Sequence, residues 1–271
     1  MNDDPFDDLL RGVRADGALI DLTALTAADA PQLGKGASLT LCAPLRGAGR
    51  VAGRELAEGE AAIVLGPEPF AASGEMVLLA GQYRMRGEVP RRLLRVLPRM
   101  LVVPDDHNCA SMRDYIEVHV ARGRPGRQIV LDRLLDWLLV CTLRDWFDRP
   151  EADPPAWYLA LADDVVGPAL RAMHRAPDRP WTLAALAAEA GVSRTTLARR
   201  FPELVGESPL AYLTGWRMTL AADQLVDDPE ATLAAVARGV GYADPFGFSA
   251  AFKRVRGMSP SEHRAAAAGT R

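Results

Sequence analysis

Apolar residues in the first hundred positions come in short bursts separated by glycine and proline. Ala18–Leu25, Ala37–Cys42, Ala61–Leu65 and Glu75–Met85 are the apolar stretches, and Pro44–Gly53 and Leu65–Pro69 are the turn-rich segments between them. Short runs bounded by turn residues predict antiparallel strands, which are stable only when paired with one another. A small antiparallel barrel or sandwich is expected over residues 1–106. After Pro104 the period lengthens. Met112–Ala121 and Gln128–Phe147 have helical spacing; in the second, Leu131, Leu134, Leu135, Leu138 and Trp146 form a stripe that Val130, Trp137 and Val140 widen. A helix apolar nearly all round is covered on two sides, so one face is expected on the barrel and the other on a second copy. The prolines of Arg149–Pro155 end this helix, Trp157–Arg175 reads as one further helix, and Ala176–Pro180 marks the boundary to the last domain.

That last domain repeats itself. Thr182-Leu-Ala-Ala-Leu-Ala returns as Thr232-Leu-Ala-Ala-Val-Ala, and Gly191 returns as Gly241, both at an offset of 50. Leu197-x-x-x-Phe201 returns as Phe248-x-x-x-Phe252 at an offset of 51, so the second copy has one extra residue in or near its turn. Each copy reads as helix, tight turn, helix. Thr182 and Ser193 in the first, and Thr232 and Asp244 in the second, can cap the two helices with side-chain oxygens, and Pro245 suits the first helical position. Trp181 and Leu186 occupy the two positions of a hydrophobic staple. Between the copies, Pro209–Val226 reads as a long helix that would fix one relative to the other. A two-helix corner of this kind can place its second helix in the major groove of DNA. A purely structural helical hairpin would explain one such corner. Two with caps, glycines and aromatic anchors in register point to DNA.

Charge refines this picture only slightly. The chain has a formal net charge of −3, and residues 179–271 hold 11 Lys+Arg against 9 Asp+Glu. DNA binding would therefore rest on the placement of charge and not on bulk field. Cys42, Cys109 and Cys141 are too few and too dispersed for a disulfide scaffold or a zinc cluster. Cys42 and Cys141 read as packed in a strand and a helix; Cys109, beside His107, has the best setting for redox sensing, which needs an accessible thiolate. His107, His119, His174 and His263 have no metal-ligand spacing. No catalytic serine or cysteine arrangement, phosphate loop or paired-carboxylate motif stands out. Met1–Leu10 is acidic, unlike a secretory leader, and no apolar run is long enough to span a bilayer. A cytoplasmic protein without a membrane partner is expected.

Residues 178–266 resemble the DNA-binding domain of AraC-family transcription regulators. The supporting segments are Leu183–Gly191, Ser193–Phe201, Gly206-Glu-Ser-Pro-Leu-Ala-Tyr-Leu, Trp216-Arg-Met with Ala221, Gly241-Tyr242, Phe248-x-x-x-Phe252-Lys253-Arg254 and Gly257-Met-Ser-Pro260. Upstream, Leu56-Ala-Glu-Gly59-Glu60, Leu79-Ala-Gly81-Gln-Tyr83, Leu97-Pro98, Leu131–Trp146, His174-Arg175 and Pro180-Trp181 resemble members whose N-terminal domain is a cupin barrel. The resemblance implies a regulator that binds promoter DNA, usually as a dimer, with an N-terminal domain for effector and dimerisation. Two departures matter. A metal-binding cupin places several His and a Glu inside the barrel, whereas residues 1–106 contain no histidine; neither a metal nor another cofactor is expected. In the second recognition helix the family commonly shows a polar residue near position 246 and a basic one at 250. Here Phe246, Gly247 and Ala250 stand there and can donate no hydrogen bond to a base.

The expected fold is thus α+β. A cupin-like antiparallel β-barrel over 1–106 is followed by a helical dimerisation and linker region over 107–177, then an all-α double helix-turn-helix domain over 178–266. Arg199, opposite Leu197 and Phe201, is the best base reader, since arginine can bond guanine O6 and N7 together. Thr195 and Ala198 share that face. Arg194 and Arg200 are expected on phosphates, which position a protein without reading sequence. In the second helix Ser249 and Lys253 are the polar members, with Lys253 a phosphate contact. Phe246 is open between core and interface, with core favoured, so the first unit is expected to read sequence and the second to anchor. The protein is expected to be a non-enzymatic DNA-binding regulator under a small effector or redox signal, with duplex promoter DNA and a second copy of itself as partners and RNA polymerase as a further candidate. The rival readings are a cupin-type enzyme with an appended helical domain and a ligand or redox sensor whose corners bind only protein.

Overall fold

A computed structural model describes residues 21–85, 87–104 and 126–268. These fall into two compact units. One is built from the described residues between 21 and 85 and between 93 and 153, and the other from residues 87–92 and 154–268. The segment Met112–Ala121, with His107, Cys109 and His119, lies outside the described residues.

The first unit is a sheet of seven antiparallel strands: β1 (Asp21–Leu25), β2 (Gln32–Leu33), β3 (Leu39–Val51), β4 (Arg54–Ala57), β5 (Glu60–Leu65), β6 (Phe70–Tyr83) and β7 (Met100–Pro104). The order is β1-β6-β3-β5-β7, with β2 on β6 and β4 on β3. Among the described residues β1 and β7 do not pair, so the expected barrel is an open sheet. β3 and β6 are the spine, 13 and 14 residues long and paired from Leu39↔Tyr83 to Val51↔Ala72.

The expectation that Pro44–Gly53 is a turn is corrected by this pairing. β3 runs through Pro44 with a register shift between Pro44 and Arg46. Proline has no N–H for the ladder, and a bulge is how a strand absorbs that loss. The reversal comes only at Ala52–Gly53, both with positive φ (49° and 81°), as a two-residue hairpin turn requires.

Both faces of the sheet are covered. Cys42, Ala62, Val64, Met76, Leu78 and Ala80 line one core with Leu25, Leu33 and Leu56. Cys42 is fully buried there, and burial pushes its thiol up to about 12, far from the thiolate that sensing needs. The alternate residues Leu39, Leu41, Ile63, Leu79, Tyr83 and Leu101 are buried on the opposite face. A short helix α1 (Glu88–Leu94) precedes β7, and a long helix α2 (Arg127–Phe147) follows it. Leu131, Leu135, Leu138, Leu139, Leu143 and Phe147 are the buried stripe of α2; of the predicted set Leu131, Leu135 and Leu138 are buried, Leu134 and Trp146 are only half-buried, and Leu139, Leu143 and Phe147 complete the face. Leu135 seats over Gly81, where a Cβ would lie 2.9 Å from Leu135 Cδ2.

The second unit is helical. Its elements are α3 (Ala156–Ala160), α4 (Val166–Arg175), α5 (Leu183–Glu189), α6 (Arg194–Val205), α7 (Pro209–Asp227), α8 (Leu233–Gly239), α9 (Pro245–Arg256) and α10 (Pro260–Ala268). The single helix expected over Trp157–Arg175 is two helices. Asp163 breaks it: its Oδ1 accepts from the amides of Val165 (3.0 Å) and Val166 (2.9 Å), capturing N–H groups that a continuous helix would have used internally. Two hydrophobic cores follow along the chain. Leu170, Met173, Trp181, Leu186, Leu197 and Phe201 make the first, and Leu225, Val236, Val240, Phe248 and Phe252 the second. α7 belongs to both, giving Tyr212 and Leu213 to the first and Met218, Ala221, Ala222 and Leu225 to the second.

Gly81→Val would force a branched side chain into Leu135. Overpacking of this kind costs about 1–3 kcal/mol, so the variant should unfold at lower denaturant than the wild type. An unchanged midpoint would show that α2 does not rest on this glycine.

Candidate nucleic-acid interface

Each helix-turn-helix corner is fixed by local chemistry. Thr182 accepts from the Ala185 amide at 3.1 Å to start α5, and Thr232 accepts from Ala235 at 3.1 Å to start α8. Trp181 and Leu186 are buried together as the staple, and the Trp181 indole donates to the Ala176 carbonyl at 2.8 Å. Gly191 (φ 67°) and Gly241 (φ 79°) carry the left-handed turns. The amide of the next residue, Val192 or Tyr242, bonds back to the equivalent carbonyl, Ala187 or Ala237. Ser193 then caps α6, accepting from Thr196 at 3.1 Å, and Asp244 caps α9. The extra residue of the second copy is therefore Ala243, between the shared turn and the cap. Leu197 and Phe201 of α6, and Phe248 and Phe252 of α9, anchor their helices in the two cores.

With those anchors inward, the opposite faces look out to solvent. On α6, Arg194, Thr195, Ala198 and Arg199 are all exposed. Arg199 pairs with Glu203 one turn on, at 3.0 Å. Such an exposed pair is weak and exchangeable, so it orients the guanidinium without removing it from competition. Arg200 is different. It is half-buried, and its Nε and Nη2 donate to Asp163 Oδ2 at 3.2 and 2.9 Å. The same carboxylate caps α4. Burial alone would raise the Asp163 carboxyl, but the Val166 amide, Arg200 and the Val165 amide together hold it below its ordinary value of 3.8. Arg200 thus ties α6 to the α3–α4 corner.

On α9, Gly247, Ala250, Lys253 and Arg254 are exposed and Ser249 is half-buried. Phe246 is 86% exposed, and the expectation that it favours the core is corrected. The reason is angular. At about 100° per residue, position 246 lies about 200° from Phe248, so the side of the helix that Phe248 buries cannot also take Phe246. Leaving a phenylalanine in water forgoes about 1.5–3 kcal/mol of burial. Arg194, Lys253 and Arg254 form no ion pair among the described residues, whereas Arg256, at the end of α9, is held by Glu88 Oε2 at 2.7 Å.

Sequence reasoning did not foresee Arg217. From the middle of α7 its Nε donates to the Pro177 carbonyl at 2.6 Å and its Nη2 to the Arg179 carbonyl at 2.8 Å, and the guanidinium lies 5.8 Å from the Tyr242 ring centroid. It joins the segment before the first corner to the turn of the second. The available signal was an arginine between Trp216 and Met218 in the middle of the helix, within the Trp216-Arg-Met segment. His174 packs as expected of a non-ligand, stacked on Trp216 at 4.3 Å with its Nε2 2.8 Å from the Tyr212 hydroxyl. Among the described residues no three His, Cys, Asp or Glu side chains come together as a metal site.

Residues 186–266 match the helix-turn-helix domain family, and residues 70–148 match the cupin family. A putative AraC-like transcription regulator of Streptomyces antibioticus is 36% identical over 231 residues, 84% of this chain and 75% of that protein. The chain belongs to the AraC-like transcription regulators. A second such regulator, from Streptomyces lividans, is 39% identical over 194 residues, 70% of this chain but only 64% of its own length. The regulator AlkR of Acinetobacter baylyi is 35% identical over 55% of this chain and 48% of that protein. Among solved structures, the DNA-binding domain of AdpA in complex with target DNA aligns at 32% identity over 38% of this chain and 96% of that one, with a TM-score of 0.35, which adds nothing to the sequence match. Membership in a regulator family sets aside the reading of this AraC-like protein as a cupin enzyme. Among the described residues no helix is long and apolar enough to cross a membrane.

Asp163→Ala removes a helix cap and the partner of Arg200 at once, and should destabilise the helical unit by about 1–2 kcal/mol at neutral pH. Because the folded carboxyl is held below 3.8, its contribution is complete above that value and disappears as pH falls through the lower folded value. Denaturation midpoints of wild type and variant should therefore converge in strong acid. A gap that stays constant down to pH 2 would contradict this role.

Proposed function

We propose that this AraC-like regulator binds duplex promoter DNA in the cytoplasm by laying α6 and α9 into successive major grooves. The observation that carries the reading is the repeated corner: in both copies the capped second helix is anchored by two buried aromatic or aliphatic residues and turns its opposite face to solvent. α7, 19 residues long and about 28 Å by helical rise, spans a distance comparable to the roughly 34 Å between successive grooves. In this reading Arg199 bonds a guanine, Thr195 and Ala198 lie beside it, Arg194 and Lys253 meet phosphates, and Ser249 adds a polar contact near the second groove. Arg200 serves mainly to brace α6 through Asp163.

The sheet unit is the dimerisation and signal-receiving part. Val130 (42% exposed) and Trp137 (40%) stand on α2 with the half-buried Leu134 and Cys141 between and beyond them. The spacing i, i+4, i+7, i+11 makes one stripe, opposite the residues that rest on the sheet. An apolar stripe left in water on a helix otherwise packed fits a second copy of this chain. A small effector received by the sheet unit, and RNA polymerase as a further partner, complete the reading of a transcription regulator.

Arg199→Ala should weaken binding to a selected site by about 1–3 kcal/mol and relax preference at one or two base pairs. Lys253→Ala should weaken binding to all sequences alike and lower the salt slope by about one unit. Site selection from random duplex DNA, followed by titrations at several salt concentrations, distinguishes the two. Equal loss of sequence preference in both variants would count against the assignment. Trp137→Glu should convert a micromolar dimer to a monomer in sedimentation, with thermal stability retained; a wild type already monomeric would refute the stripe as an interface.

A further inference from the structure

We infer that Phe246 is a specificity residue that reads the 5-methyl group of a thymine in the groove facing α9. The inference rests on the DNA-binding reading above and deepens it. The offset of 51 that aligns Leu197 with Phe248 and Phe201 with Phe252 also aligns Thr195 with Phe246 and Arg199 with Ala250. Phe246 therefore occupies, in the second helix, the outward position next to the cap that Thr195 occupies in the first. Its backbone is fixed there: Asp244 Oδ1 accepts from the Phe246 amide at 2.9 Å and from the Gly247 amide at 2.8 Å. The surroundings are apolar and low. Gly247 has no side chain, and a Cβ there would meet the capping carboxylate at 2.9 Å. Ala250, one turn on, offers a single methyl and is exposed. The ring is 86% exposed, and its neighbours on that face, Gly247 and Ala250, are too small to cover it.

The major groove presents hydrogen-bond donors and acceptors at every base edge, with one apolar exception, the thymine methyl. A phenyl ring has neither donor nor acceptor. Against any other edge it would strip water from polar groups and return nothing, a cost that itself discriminates. Against a thymine methyl it exchanges two hydrated apolar surfaces for one contact. Lys253 and Arg254, exposed further along the same helix, carry the charge that holds such a helix against phosphates. The second half-site is thus specified by methyl groups where the first is specified by hydrogen bonds.

The experiment uses the full chain. A binding site is first selected from random duplex DNA, and its thymines opposite α9 are then replaced singly by deoxyuridine, which removes only the methyl. At one or two of these positions the wild type should lose affinity by about 3–10-fold, the scale of burying one methyl-sized group. Phe246→Ala should bind the thymine and deoxyuridine duplexes equally and lose the thymine preference on reselection. Phe246→Leu, which keeps an apolar tip, should retain part of the sensitivity. Denaturation of the Phe246→Ala variant should match wild type, since the ring is outside the core. Wild-type binding indifferent to every deoxyuridine, or sensitivity that persists in Phe246→Ala, would overturn the proposal while leaving DNA binding intact. So would undiminished DNA affinity in Phe246→Ala with loss of transcriptional output, which would make the ring a protein-docking residue. Failure to select any site would remove the inference together with the reading on which it rests.

Discussion

The helical unit depends on one helix serving two cores. α7 gives Tyr212 and Leu213 to the core of the first corner and Met218, Ala221, Ala222 and Leu225 to that of the second. Neither corner buries its apolar face alone: the first packs on α7 together with Leu170 and Met173 of α4, and the second packs on α7. The same packing that stabilises each corner therefore also sets the separation of the two recognition helices. Arg217 adds polar constraint to this arrangement, holding the Pro177 and Arg179 carbonyls from the centre of the helix. α10 closes the far end, with a reciprocal Ser259–Glu262 cap at its start and Arg264 donating to the Ala231 carbonyl at 2.7 Å.

Within that frame the two corners share a backbone plan and differ in what they present. The first offers Thr195, Ala198 and Arg199, and the second Phe246, Gly247 and Ala250. The difference extends to the supporting charges. Arg200 of the first helix is spent on Asp163 and Arg256 of the second on Glu88, which leaves Arg194, Lys253 and Arg254 facing outward. A domain with nearly balanced charge can thus still leave Arg194, Lys253 and Arg254 exposed and outside any ion pair among the described residues.

The sheet unit follows a different logic. Burial of both faces removes its interior from solvent, and Cys42 with its raised pKa is an ordinary core residue. Gly81 shows how closely the second layer sits: the helix above it occupies the space of the missing Cβ. Among its described residues, Val130 and Trp137 are left apolar and exposed on the far side of α2, away from the sheet.

Local chemistry was legible in the sequence. The caps at Thr182, Ser193, Thr232 and Asp244, the left-handed glycines and the aromatic anchors act over three or four residues, so their spacing marks each corner, and their repetition identifies the domain. The apolar strand segments and part of the α2 stripe, Leu131, Leu135 and Leu138, were visible for the same reason. Other features were decided only by the tertiary structure. Asp163 splits a helix because Arg200, 37 residues away, holds its carboxylate in place to take two amides. Pro44–Val51 is strand and not turn because β6 is there to pair with it. Phe246 was misjudged by residue type: hydrophobicity argued for the core, but the helix has only one buried side, and Phe248 and Phe252 occupy it. A sequence states what each residue prefers; which preference yields is set by the space its neighbours leave.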